Sequence, residues 1–355
     1  MSSQPSDMRM ALMHPVDEMA QKYLGSRMKP GSRINSWVDS ILTHMEDQFY
    51  LQNLADNLRV TPTSNPRLHK LMERASNRIG QTNIPLYLDT NSVPNAWTLG
   101  DKKPGVVITH GLVSLLDDEE TVFVLGHEIG HIAAQHVRYR LMLMQFGPVL
   151  ALMSLIPFIG IAFALAFQIA LSFWYRRSEL TSDRFGLIAC DNPTAALSAL
   201  TKLAGGEPDS DSGAIVETMM EQAEEFRTLY HENPEQSMIW DIYDGLLSDF
   251  ASRTHPWGAV RVWELNYWMK TDHYSLARAG RWKEAEKVRS ETPSFFQTDV
   301  TPGDDPLSYV MKEATGELGK EVSKLVSKGL EATDELSQGV SSFMSKGRDF
   351  FKQKE

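Results

Sequence analysis

Cysteine is nearly absent. Cys190 stands alone among 355 residues, so no disulfide can form within the chain. The fold must therefore rest on packing, polar contacts or a metal. Positive charge is in deficit: 35 Lys and Arg face 46 Asp and Glu, a formal net charge of −11. That balance excludes a protein built to neutralise phosphates, so no nucleic-acid partner is expected. The first 25 residues hold no apolar run of the secretory kind, and no leader is expected. Ser2 and the closing Phe-Phe-Lys-Gln-Lys-Glu offer neither a myristoylation nor a prenylation site. One stretch lacks charge altogether. Residues 141–175 contain no Asp, Glu, Lys, Arg or His.

What is present reads as globular. Hydrophobic residues make up 42% and charged residues 23%, and 355 residues are enough to bury a sizeable core. Four regions follow from composition: a helical 1–80, a main domain 81–270 carrying the apolar insert 141–175, a short helix and linker 271–306, and a tail 307–355. In the first, Trp37, Ile41, Met45 and Phe49 recur every four residues on one helical face. A loop at 61–66 precedes a short helix over 67–80. Ile84–Tyr87, Ala96–Leu99 and Val106–Thr109 read as short strands. Asp117 or Asp118 then caps a helix, with Glu120 placed for a capping box. Helix is expected again from about Glu179 to Leu203, over the acidic stretch 214–250, and over a Trp-rich 257–270. Leu276 to Val288 faintly suggests one helical-repeat unit.

The capped helix carries His127-Glu128-Ile129-Gly130-His131. Histidines four apart on a helix share one face, a turn from each other, and can reach one metal ion. Glu128 projects beside them, near enough to contact a metal-bound water. Two ligands are too few, because a catalytic zinc site has three protein ligands and an open fourth position. The best third donor is Glu179, in Arg176-Arg177-Ser178-Glu179-Leu180-Thr181-Ser182-Asp183. Asp183 lies four residues on, on the same face, where it can accept the outer N–H of a liganding histidine. The bland alternative is that both pairs decorate solvated helix faces.

The arrangement resembles the M48 peptidases, which include CAAX-processing, HtpX-type, mitochondrial inner-membrane and BepA-type proteases. Pro94-Asn95-Ala96-Trp97 is similar to the family's Asn-Ala-Phe strand, with Trp for Phe. The His127 to His131 motif, with His136 five residues later, is similar to its active helix. Glu179 to Asp183 resembles its Glu-x-x-x-Asp motif, with Ser182 where Ala is commoner. Thr254-His255-Pro256 followed by Arg261 resembles its downstream His-Pro element. The likeness covers about 85–265 and implies a zincin-like α+β fold, mostly helical, with a small sheet along the cleft. It also implies one zinc ion per chain and peptide-bond hydrolysis. By the same resemblance His255 stabilises the transition state or acts as a reversible fourth ligand, and Arg261 orients it or neutralises an oxyanion. Asp183 is sometimes a proton donor in such enzymes; pairing to a histidine favours the orienting role. His110, His136, His231 and His273 are expected outside the metal shell.

A mechanism follows as expectation. Glu128 takes a proton from water and passes it to the leaving amine. Substrate adds as a strand along Asn95, Ala96, Trp97 and Thr98, so it must be extended or unfolded. Both flanks of the insert must meet at one metal, which excludes a single membrane crossing. A hairpin turning near 157–160, or helices lying on a surface, remains, each arm roughly 24–29 Å long. Membrane contact through 141–175 is expected, with a buried hairpin or an oligomer contact as the alternative. Arg138, Arg140, Arg176 and Arg177 bracket the insert and would hold the catalytic domain on the cytoplasmic side. The tail from 307 is expected to bind a partner or an oligomer mate. The rival function is a membrane-associated chaperone or scaffold with a latched or inactive zinc site. A CAAX-type membrane chamber needs more than one apolar hairpin.

Overall fold

A computed structural model describes residues 5–18, 21–22, 33–100, 102–138, 140, 159–206, 212–232, 257–292 and 294–295. The protein is mostly helical, with one small mixed sheet, in agreement with the zincin-like expectation. In chain order, α1 (Pro5–Leu12) and α2 (Arg33–Asp56) lead to β1 (Leu58–Arg59) and α3 (Pro66–Ile79). Next come β2 (Leu86–Asp89), β3 (Ala96–Leu99), β4 (Gly105–Thr109), α4 (His110–Leu115) and α5 (Asp118–Ala133). Then follow α6 (Ile159–Cys190), α7 (Pro193–Leu203), α8 (Ser212–Glu232) and α9 (Gly258–Trp268). The last elements are α10 (Asp272–Arg278), α11 (Trp282–Val288) and a 3-10 turn, Arg289–Glu291.

Local chemistry sets the helix starts. Asn65 accepts from the Leu68 N–H and Pro66 occupies the first turn of α3, where its missing N–H is harmless. Leu68, Leu71, Met72, Ala75 and Ile79 then fall on one buried face. Asp117 caps α5 in a complete capping box: its carboxylate accepts from the Glu120 N–H, and the Glu120 carboxylate accepts from the Asp117 N–H. Asn192 and Pro193 repeat the Asn-Pro start at α7.

The sheet runs β1-β2-β4-β3. β2 and β4 are parallel, with Leu88 opposite Ile108, while β1 and β3 join antiparallel at the two edges. Strand β2 starts at Leu86, not Ile84, because Pro85 has no N–H to give to the ladder. β1 was not anticipated; two residues are too few to show alternation.

α5 is the buried centre of the domain, packed on α3, α6, α7 and the sheet. Its approach to α6 is close because small residues line the contact. A Cβ built on Gly130 would lie 2.7 Å from Phe185 Cβ, and one on Gly126 would lie 2.3 Å from Ala189 Cβ. From the other side, a Cβ on Gly186 would lie 2.8 Å from the Phe123 carbonyl oxygen. This contact sets the histidines of α5 against the carboxylates of α6.

α6 is longer than expected. Helix does not restart near Glu179 but is continuous from Ile159, since no Gly or Pro interrupts the chain between 161 and 185. The first arm of the apolar insert and its turn near Pro157 lie outside the described residues, as does the tail from 307. Among the described residues no helix is long and apolar enough to cross a membrane. Arg176 and Arg177, expected as a basic flank of the insert, are buried and stack on the Trp257 ring, 4.9 and 5.9 Å from its centroid. They face protein, and the Arg140 guanidinium likewise packs on a ring, 5.5 Å from the Tyr175 centroid.

Candidate metal centre

His127 and His131 project from one face of α5, and Glu179 comes from α6. All three are buried, and a donor atom from each lies within 4.8 Å of the others. The three donors form a tight triangle. His127 Nε2 and His131 Nε2 are 3.1 Å apart, His127 Nε2 is 3.4 Å from Glu179 Oε2, and His131 Nε2 is 3.3 Å from Glu179 Oε1. Three donors each bound to one tetrahedral zinc at about 2.0–2.2 Å sit roughly 3.3–3.6 Å apart. The residues therefore fit such an ion in donor type and in spacing.

Each imidazole has its other nitrogen held. His127 Nδ1 is 2.9 Å from Asp183 Oδ1. Arg261, on α9, grips Asp183 with two bonds: Nε donates to Oδ2 at 2.8 Å and Nη2 to Oδ1 at 2.6 Å. Arg261 Nη1 also lies 3.4 Å from Glu179 Oε2. The resemblance implied that Arg261 would orient His255 or meet an oxyanion. Its guanidinium is instead engaged by the two carboxylates, and His255 lies outside the described residues. α9 is anchored for this purpose by Trp257, whose ring carries the guanidinium groups of Arg176 and Arg177.

His131 is held differently. Its Nδ1 is 2.9 Å from His136 Nδ1, and His136 Nε2 is 2.9 Å from Asp17 Oδ2. His136 touches a member of the three-donor group. Asp17, Trp174 and Thr181 had not been singled out from the sequence. The fifth-position histidine was a visible signal; nothing local marked Asp17.

Burial disfavours charge on both histidines, and their neighbours decide the outcome. It drives His131 down to about 3. At His127 it is outweighed by the Asp183 and Glu179 carboxylates, which raise the imidazole to about 9. Burial likewise would raise Asp183, but Arg261 and His127 hold it below the usual carboxylate range.

Glu128 faces the sheet. Thr98 Oγ1, on β3, lies 2.7 Å from Glu128 Oε2 and 2.9 Å from its carbonyl oxygen, so one hydroxyl proton serves either acceptor. β3 is the edge strand next to this helix, and it carries Ala96 and Trp97. Asn95, just before it, donates its N–H to Thr109 Oγ1 at 2.9 Å. Of the expected residues, the structure thus gathers His127, Glu128, His131, Glu179, Asp183 and Arg261, with Asn95, Ala96 and Trp97 along the neighbouring edge.

Comparison with known proteins agrees with this geometry. The sequence model of Peptidase family M48 matches residues 62–269. The chain is 31% identical over 281 residues to "Plastoglobule-localized metallopeptidase 48, chloroplastic" of Arabidopsis thaliana, covering 78% of this chain and 77% of that protein. It is 27% identical over 175 residues to a "Protease HtpX homolog" of Tropheryma whipplei (strain Twist), covering 41% and 59%. Another "Protease HtpX homolog", from Ralstonia nicotianae, is 25% identical over 240 residues, covering 61% and 78%. No solved structure is a significant match. With its histidine pair, its glutamate and this span of similarity, the chain belongs to peptidase family M48, a metallopeptidase family.

Proposed function

We propose that the protein is a zinc-dependent endopeptidase that cuts extended segments of misfolded or membrane-associated proteins. His127, His131 and Glu179 would hold one zinc ion per chain. The single observation that carries this reading is the triangle of donors at 3.1–3.4 Å, on a helix whose Glu128, next to His127, bonds Thr98 of the edge strand. The ion, when bound, supplies Lewis-acid polarisation of the scissile carbonyl and of an adjacent water. Glu128 removes a proton from the attacking water and returns it to the leaving amine. Asp183 fixes the ring of His127, and Arg261 fixes Asp183. His255 retains the transition-state role its motif implies. The substrate pairs as an added strand on the β3 edge at Asn95, Ala96 and Trp97, so a folded chain cannot be presented. Membrane contact would run through 141–175 and a partner or oligomer contact through 307–355.

Metal content measured beside casein cleavage tests the proposal, for wild type, Glu128→Gln and Glu179→Ala. One zinc per chain is expected, retained in Glu128→Gln with turnover lost, and weakened in Glu179→Ala. Absence of zinc from the wild type would sink the reading. Zinc without cleavage in the wild type would favour the latched chaperone or scaffold. Flotation of the full chain with lipid vesicles checks the membrane contact; protein left at the bottom of the gradient rejects it.

A further inference from the structure

A histidine binds a metal through a nitrogen lone pair, so its proton must sit on the other nitrogen. For His127 an adjacent carboxylate enforces this directly. For His131 the neighbour is a second imidazole, Nδ1 against Nδ1 at 2.9 Å. Two imidazoles alone do not decide which of them donates. The decision must come from whatever holds the far nitrogen of His136.

That group is Asp17, fully buried, from the segment that follows α1. Its hydrogen bonds fix its role. Trp174 Nε1 donates to Oδ1 at 2.9 Å, and an indole nitrogen can only donate. Thr181 Oγ1 donates to Oδ2 at 2.6 Å, while the His14 backbone N–H donates to the same hydroxyl oxygen at 3.0 Å and keeps its proton directed at Asp17. Asp17 is thus an acceptor for every neighbour, and His136 Nε2 must donate to it at 2.9 Å. An imidazole that carries its proton on Nε2 presents a lone pair on Nδ1. His136 accepts from His131 Nδ1–H, with the Ser182 hydroxyl at 3.5 Å as a weaker second contact. His131 Nε2 is left with its lone pair aimed at the point shared with His127 and Glu179.

We propose that Asp17 and His136 form a positioning relay that presets the tautomer and ring orientation of His131 for metal binding, which makes the N-terminal segment part of the metal centre. This rests on the zinc reading above. Asp17 lies outside the span 62–269 matched by the family. The surroundings are built to hold the relay. Gln135 takes a left-handed turn (φ 63°) at the end of α5, which brings His136 back beneath His131. Gln21 Nε2 donates to the Ala134 carbonyl at 2.9 Å, tying the N-terminal segment to that turn. On its outer side the segment is clasped by the C-terminal helices. Arg289 Nη1 donates to Met10 O at 2.6 Å, Arg289 pairs with Glu18, and His273 Nε2 donates to Ala11 O at 2.8 Å.

The test uses the full chain, zinc as the probe, and three variants. In Asp17→Asn the amide cannot serve all three donors. With its NH2 toward His136 it reverses the relay and drives the His131 proton to Nε2. His136→Gln keeps the polarity, offering an amide N–H to Asp17 and a carbonyl to His131. His136→Leu fills the space and breaks the chain. Zinc affinity by chelator competition is expected to fall about 10–100-fold in Asp17→Asn and His136→Leu, with His136→Gln recovering most of it. Nitrogen-15 spectra of histidine-labelled, metal-free protein should show the Nδ1–H tautomer of His131 in wild type and its loss in Asp17→Asn. A packing role predicts instead that Leu is tolerated as well as Gln at this buried site. Equal zinc affinity in His136→Leu and His136→Gln, within about two-fold, would overturn the relay, even if Asp17→Asn fails to fold. A wild type that binds no zinc would overturn the functional reading itself, so the two failures are distinguishable.

Discussion

The two histidines of the metal centre are supported by opposite means. His127 leans on Asp183, which Arg261 grips with two bonds, and all three lie within the span shared with the family. His131 leans on His136 and Asp17, a carboxylate held by an indole and a hydroxyl and drawn from outside that span. The first support is ionic and comes from α6, packed on α5, and from α9, packed on α6. The second depends on a segment 119 residues from His136 in sequence, docked from the far end of the chain. The difference shows that a conventional motif can mark one half of a site and leave the other half unmarked.

The sharpest way to break the comparison is to remove what both sides share. Glu128→Gln leaves both supports intact and is expected to lower turnover by at least about 10²-fold with zinc retained, read by kinetics and metal analysis. Next is Asp183→Asn. It takes from the buried Arg261 its two shortest carboxylate contacts and leaves Glu179 at 3.4 Å, so a loss of up to about 3–5 kcal/mol is expected in denaturant unfolding. Asp17→Asn should cost less in that experiment, because its strongest partners include neutral donors; an equal cost would erase the distinction between ionic and relayed support. Gly130→Ala places a methyl 2.7 Å from Phe185 Cβ and should destabilise the α5–α6 contact by about 1–3 kcal/mol, weakening zinc at both histidines together.

Proton release offers a finer measurement. In the metal-free protein His127 is raised to about 9 and is protonated at pH 7.5, whereas His131 is lowered to about 3 and is neutral. A metal takes the neutral form of each. Zinc binding at pH 7.5 should therefore release about one proton, all from the His127 side, and fewer as pH rises past 9. Calorimetry in buffers of different ionisation enthalpy reads this directly. Release of two protons would show that the two sides do not differ.

Much of the centre was legible before folding. The spacing of His127 and His131, and of Glu179 and Asp183, translates into shared faces because helical periodicity is a property of a few consecutive residues. The Asp117–Glu120 box and the strand Ala96–Leu99 were legible for the same local reason. Less legible was the length of α6, where the change from apolar to polar residues near 176 suggested a new helix although no breaker stands there. Arg176 and Arg177 misled in the same way, since a basic pair reads as a surface flank until a tryptophan from a distant helix start covers it.

The sequence by itself determined the chemistry of this protein: which donors can meet a metal, which carboxylate stands beside them, and the family to which they belong. Tertiary structure alone decided what holds those groups still. Thr98 reaches Glu128 from a strand, Arg261 reaches Asp183 from α9, and Asp17 reaches His131 through His136. A hydrogen bond across 119 residues leaves no periodic trace in the chain, because its geometry exists only once the helices between have packed.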